Sequence, residues 1–294
     1  MDKEKKAIER LKYASEMSFQ IYQKPLLVTT SGGKDSDVCL HLVKKSGIPF
    51  EVSHSHTTVD APETVMHVRE QFKELELGGI KCDISYPYYK GQRVTMWSLI
   101  PMKKIPPTRT VRYCCSVMKE TAGKDRFITT GVRWAESVKR RDRAAFETIT
   151  PKKENRIVFN EDNDENRRLF ETCQLNAKRT CNPIIDWGDQ EIWEYIKSEK
   201  IQTNPLYKCG FYRVGCIGCP LAGKKTMQKG FAMYPAYERA YIRAFDKMIR
   251  NRTSRGESGE WKTGLDVFHW WVEDGVLPGQ VEFGACESVQ KRIV

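Results

Sequence analysis

Leu26-Leu27-Val28-Thr29-Thr30 is a short apolar run, and it leads straight into Ser31-Gly32-Gly33-Lys34-Asp35-Ser36 and a segment with apolar residues at helical spacing. A strand that breaks through a Gly-Gly pair into a helix gathers backbone N–H groups beside the positive pole of that helix. Such a turn is an anion cradle, and it commits the start of the chain to an α/β unit. It is not a Walker A loop: Val28 stands where that pattern needs its first glycine, and Asp35 follows the lysine.

The same alternation continues on both sides of the turn. Periodicity predicts a helix over Lys3 to Tyr22, strands over Pro25 to Thr30 and Phe50 to Thr57, and a helix over Asp35 to Lys45. A helix near Glu63 to Leu75 and strands near Ile80 to Tyr86 and over Phe127 to Val132 follow. Crossover units of this kind imply a mainly parallel sheet covered on both faces. Residues 151–168 (PKKENRIVFNEDNDENRR) turn polar and suggest a boundary, giving an α/β domain over 1–150 and a helical, cysteine-bearing region over 151–294. In that second part Asp186 or Asp189 is expected to cap an amphipathic helix, with further helices over Tyr234 to Arg252 and Leu265 to Glu273.

Composition narrows the chemistry. Of 294 residues 40% are hydrophobic and 30% charged, and no apolar stretch approaches the ~20 residues of a membrane span. The amphipathic N-terminus lacks the apolar core of a secretory signal, so a cytoplasmic setting is expected, and with it reduced thiols. Ten cysteines then call for metal or redox chemistry rather than disulfides. Cys114 with Cys115, and Cys216 with Cys219 in a C-x-x-C, offer four thiolates that suit a [4Fe–4S] cluster or a structural zinc; adjacent cysteines are unusual for zinc and favour the cluster. Cys173, Cys181 and Cys209 lie in the same half and are alternative ligands, whereas Cys39 and Cys82 read as small buried hydrophobes. His54 and His56 share a strand face but have no evident third ligand in sequence, and ordinary partly buried histidines are expected. The formal charge of +11 favours polyanionic partners.

The string Ser31 to Ser36 resembles the signature of the PP-loop ATP pyrophosphatases without a departure. That resemblance implies ATP binding through the loop and cleavage between the α and β phosphates. In that role the amides and the Ser31 and Ser36 hydroxyls would hold pyrophosphate, Lys34 would neutralise the leaving group and Asp35 would help hold Mg²⁺. Four further segments, HTTVDAPETVMHVR, RYCCSVMKE, GVRWAESVKRR and NPIIDWGDQEIWEYI with GCIGCP, resemble the 3′-phosphoadenylyl-sulfate (PAPS) reductase family and its iron–sulfur branch. The resemblance implies an adenine nucleotide α-hydrolase-like fold and one [4Fe–4S] cluster on Cys114, Cys115, Cys216 and Cys219. Asp60, after a strand end, is a candidate for ribose or Mg²⁺, with helix capping as the alternative. Arg133, Lys139, Arg140 and Arg141, also after a strand end, are candidates for a phosphate or sulfate group, with a solvated charged face as the alternative.

Sulfonucleotide reductases of this family end in a Glu-Cys-Gly-Leu-His segment. Here Cys286 is preceded by Ala285 and followed by Glu287, so the nucleophile motif is not matched. With an intact PP-loop, this favours ATP cleavage that adenylates an acceptor for sulfur transfer, as in DNA phosphorothioation and tRNA thiolation proteins. Lys103, Lys104, Arg109 and Arg112 fit a nucleic-acid acceptor, and a sulfur or electron donor protein would be needed. The alternatives are a thiol-dependent reductase of adenylyl sulfate or PAPS, and a nucleotide and cluster sensor without turnover. Homo-oligomers are common in this fold, and a dimer is the default expectation.

Overall fold

Every strand of the main sheet lies in the part of the chain that the crossover pattern marks as α/β, or returns to it from further on. The computed structural model describes residues 2–120, 123, 125–137, 140–149, 158–159, 178–257 and 259–273. In chain order the elements are α1 (Lys3–Tyr22), β1 (Leu26–Thr30), α2 (Lys34–Ser46), β2 (Phe50–Ser55), α3 (Pro62–Leu77), β3 (Cys82–Ser85), β4 (Tyr88–Tyr89) and β5 (Gln92–Arg93). Then come α4 (Met96–Lys103), α5 (Tyr113–Met118), β6 (Phe127–Thr129), β7 (Phe146–Ile149), β8 (Val158–Phe159) and β9 (Lys178–Cys181). The chain continues through α6 (Asp189–Ser198), α7 (Lys224–Met233), α8 (Pro235–Thr253) and α9 (Gly264–Val272). These fall into two compact units, one drawn from Met1–Arg93 and Tyr113–Ile217, the other from Val94–Arg112 and Gly218–Val294.

The first unit holds a sheet in the order β3-β2-β1-β6-β9-β7-β8. β3, β2, β1, β6 and β9 run parallel, and β7 is antiparallel to both β9 and β8. The fold is therefore the mainly parallel, helix-covered α/β class that the sequence predicts. Strand order reverses at β1, which has β2 on one side and β6 on the other, so the crevice beyond the carboxyl ends of β1 and β6 is where such a sheet receives a ligand.

Burial follows periodicity closely in the helices. α1 starts at Asp2, whose side chain accepts from Glu4 N at 3.1 Å, and buries Ala7, Leu11, Ala14 and Met17 against the sheet side of the unit. Arg10 on the same helix is buried and donates to Pro183 O at 2.8 Å and Asp186 Oδ1 at 2.9 Å. α2 and α3 are pinned by a buried polar contact: Asp37 takes His67 Nε2 at 3.1 Å and Gln71 Nε2 at 2.9 Å, one on each oxygen. The segment after β6 approaches α2 at Gly131, where a Cβ would lie 2.8 Å from the carbonyl carbon of Asp35 and 2.9 Å from its oxygen. Only glycine lets these two backbones meet.

The second unit is helical. α4, α7, α8 and α9 surround an aromatic core in which Tyr241 lies 4.8 Å from Trp271 and 4.9 Å from Trp97, ring centre to ring centre. Gly218, the glycine within the C-x-x-C, is left-handed at φ 73°, and a Cβ there would come within 2.8 Å of Trp271 and 2.9 Å of Phe231. Among the described residues no helix is long and apolar enough to cross a membrane.

Two expectations are corrected. Neither Asp186 nor Asp189 caps α6: Gly188 is the cap, its N–H donates to Glu191 at 2.6 Å, and Asp186 is taken by Arg10. The strand over Phe127 to Val132 stops at Thr129, because Thr130 turns to donate through its side chain to Asn182 at 2.5 Å. Periodicity does not predict β7 and β9, and β9 pairs with β6 and β7 within the first unit. Most of the polar stretch 151–168 lies outside the described residues.

Two outcomes are expected. Burial alone would raise the Asp186 carboxyl, but the hydrogen bond and charge of Arg10 hold it below its ordinary value of 3.8, so its contribution is full above that value and lost as pH falls through the lower folded one. Asp186→Asn should cost about 3 kcal/mol at pH 7 and lose less on acidification than the parent, read by urea denaturation at both pH values. Gly131→Ala should cost about 1–3 kcal/mol in the same assay, because the clash is with backbone rather than a movable side chain.

Candidate functional site

At the carboxyl end of β1 the loop Ser31–Ser36 folds around a single hydroxyl. Ser36 Oγ receives the N–H groups of Ser31 at 3.3 Å and Gly33 at 3.1 Å, and donates to Gly33 O at 2.7 Å. Ser31 Oγ lies 3.3 Å from it. Thr30 Oγ1 in turn accepts from Gly32 N at 3.3 Å. The turn is thus built from its own hydroxyls, with α2 beginning at Lys34 and its first-turn amides at the crevice.

Two residues from a distant segment complete it. Asn204, fully buried, donates to Gly32 O and to Thr64 Oγ1, each at 3.0 Å. Tyr207 OH accepts the Lys34 N–H at 2.8 Å, so a hydroxyl already sits on an amide of the cradle. Burial pushes the Tyr207 phenol well above its ordinary range, and it stays protonated. Neither residue was legible as a site residue: Asn204-Pro205 marks a turn, but nothing local says that the turn returns to β1.

The charges of the site form one network. Lys34, 5% exposed, reaches Asp35 Oδ2 at 3.1 Å and Asp189 Oδ1 at 3.7 Å. Arg133, 1% exposed, donates to Asp35 Oδ1 at 2.8 Å, Trp187 O at 3.1 Å and Asp189 Oδ1 at 2.6 Å. Tyr212 OH donates to the other oxygen of Asp189 at 2.6 Å. Burial would raise Asp189, yet the hydrogen bonds from Tyr212 and Arg133 and the charge of Lys34 hold it below the usual carboxylate range. Two cations and two carboxylates compensate one another at the mouth of the crevice.

The remaining expected residues are placed as follows. Arg140 pairs with Glu136, and burial beside Arg213 and Arg143 lowers it to about 10; Arg141 is exposed. Lys139, Cys173 and Cys286 lie outside the described residues. Asp60 is buried and does not cap α3, whose cap is Ala61; its carboxylate accepts from Thr57 N at 2.9 Å and Thr57 Oγ1 at 2.7 Å. Cys39 is buried, and burial with the nearby Asp35 charge raises its thiol well above the ordinary value; Cys82 is raised to about 11 by burial and Glu76. Both behave as inert thiols.

Cys114 and Cys115 are half-buried on α5, where consecutive residues diverge by about 100°. Cys216, also in the first unit and half-buried, has its sulfur 3.4 Å from Thr57 Oγ1. Cys219, half-buried in the second unit, precedes the short turn Pro220–Ala222. Cys181 is fully buried on β9, its sulfur 3.8 Å from Arg10 O, which marks it as core; Cys209 is exposed.

An uncharacterized protein of Methanocaldococcus jannaschii is 27% identical over 263 residues, covering 86% of this chain and 47% of its own length, and a second from that organism is matched over 50% of its length. The chain therefore spans about half the length of these curated relatives. Adenosine 5′-phosphosulfate reductase of Staphylococcus epidermidis is 22% identical over 223 residues, 74% of this chain and 78% of that one. Among solved structures, phosphoadenylyl-sulfate reductase from Candida auris aligns over 71% of this chain and 87% of its own at 18% identity and a TM-score of 0.44. Residues 25–222 match the phosphoadenosine phosphosulfate reductase domain, and the chain belongs to that family.

Proposed function

We propose that this protein binds ATP at the Ser31–Ser36 loop and cleaves it to adenylate an acceptor for sulfur transfer. A nucleophile on the acceptor attacks the α-phosphorus, the bond to the bridging oxygen breaks, and pyrophosphate leaves with the electron pair. The observation that carries this reading is the unaltered loop at the switch point, with Lys34 buried between Asp35 and Asp189. Lys34 neutralises charge growing on the leaving pyrophosphate, and the loop amides hold its oxygens. Asp35 is the partly exposed acid of the loop and would take the Mg²⁺ that travels with ATP. Arg133 acts through Asp35, holding its carboxylate in place, while the exposed Arg141 supports contact with a further anionic group.

The [4Fe–4S] centre proposed for Cys114, Cys115, Cys216 and Cys219 rests on the type and spacing of the donors, thiolates of intermediate exposure rather than core residues. When bound it would supply electron-transfer or sulfur-handling chemistry. The net charge of +11 and Lys103, Lys104, Arg109 and Arg112 support a nucleic-acid acceptor. A second reading, reduction of adenylyl sulfate to sulfite by a thiol, is supported by the reductase relative of Staphylococcus epidermidis.

The two readings give different products. With ATP and candidate acceptors the protein should release pyrophosphate, and Lys34→Ala should reduce the rate by about 10²-fold or more; sulfite from adenylyl sulfate and a thiol, with no pyrophosphate from ATP, would establish the second reading instead. Anaerobically purified protein should contain iron and acid-labile sulfide, both lost in Cys115→Ser. Iron retained at the parent level in that variant would remove Cys115 from the ligand set.

A further inference from the structure

We propose that His54, His56 and Asp60 form a mononuclear site for a divalent first-row transition ion, with zinc as the leading occupant. The three side chains offer ligand atoms that all lie within 4.8 Å of one another. His54 and His56 leave β2 and its end two residues apart, and Asp60 returns to them across the turn that precedes α3. The third ligand that the histidine pair lacks on a first reading is four residues along, brought in by the turn.

The chemistry of each donor suits an ion. His54 is 5% exposed, and its Nδ1 lies 3.0 Å from Thr30 O. A carbonyl only accepts, so Nδ1 carries the proton and Nε2 keeps its lone pair, the arrangement that backbone-anchored metal histidines adopt. Asp60, 8% exposed, is oriented by two donors from Thr57. His56 is half-buried, with Nδ1 3.9 Å from Asp60 Oδ2 and its ring against Tyr86. Two imidazoles and one carboxylate select a borderline ion over Mg²⁺ or Ca²⁺, which prefer oxygen alone. Three protein ligands leave a position for water or substrate.

The site has neighbours on both sides that matter to the chain. Thr30, which holds His54, also holds the Gly32 amide of the nucleotide loop. Thr57, which holds Asp60, also lies 3.4 Å from the Cys216 sulfur. None of the proposed iron–sulfur ligands is needed for it, so it stands or falls separately from the cluster.

Zinc titration of the purified full chain by calorimetry, followed by zinc-edge X-ray absorption, tests it without interference from iron. Saturable binding with only nitrogen and oxygen around zinc is expected. His56→Ala, which alters a half-exposed side chain, should weaken binding by at least about ten-fold with an unchanged circular dichroism spectrum. Sulfur in the zinc shell, unaltered affinity in His56→Ala, or no saturable binding would overturn the assignment.

Discussion

The buried guanidinium of Arg133 is the contact on which the crevice depends. It ties the first turn of α2 through Asp35 to the segment after β6 and, through Trp187 O and Asp189, to the start of α6. Removing such a charge from water is costly unless its donors are all met, and here three donor atoms meet two carboxylates and a carbonyl. The geometry is over-determined: Gly131 lets the backbone come close enough, Tyr212 fixes the far oxygen of Asp189, and Lys34 balances the sum. Three crossover elements are thereby held at one end of the sheet.

Much of this was legible because its cause is local. The apolar run at 26–30, the Gly-Gly turn and the helical spacing beyond it specify β1, the loop and α2 within a residue or two, and α1, β2, α3, α8 and α9 follow equally from periodicity. What sequence could not convey is long-range return. β9 carries Lys178 and Arg179 in a four-residue strand, a pattern that reads as surface, although Arg179 is 1% exposed in the middle of the sheet. Asn204 and Tyr207 reach the loop from more than 170 positions away.

Some expected residues changed role rather than place. Arg133 was expected to meet an anion from a ligand and instead meets anions of its own chain. Asp60, a candidate for ribose or Mg²⁺ with capping of α3 as the alternative, leaves the cap to Ala61 and turns its carboxylate to Thr57. In both cases the residue type signalled that charge would be handled there, and only the fold decides whose charge it is.

The Tyr207 hydroxyl on the Lys34 amide carries a thermodynamic consequence. A phosphate oxygen that took this N–H would have to displace the phenol, so the free energy of anion binding at this amide would include breaking that hydrogen bond. By linkage, an anion that displaces the phenol and any contact that draws Tyr207 off the amide would favour each other by the same factor. The loop comes with a competitor built into its own chain.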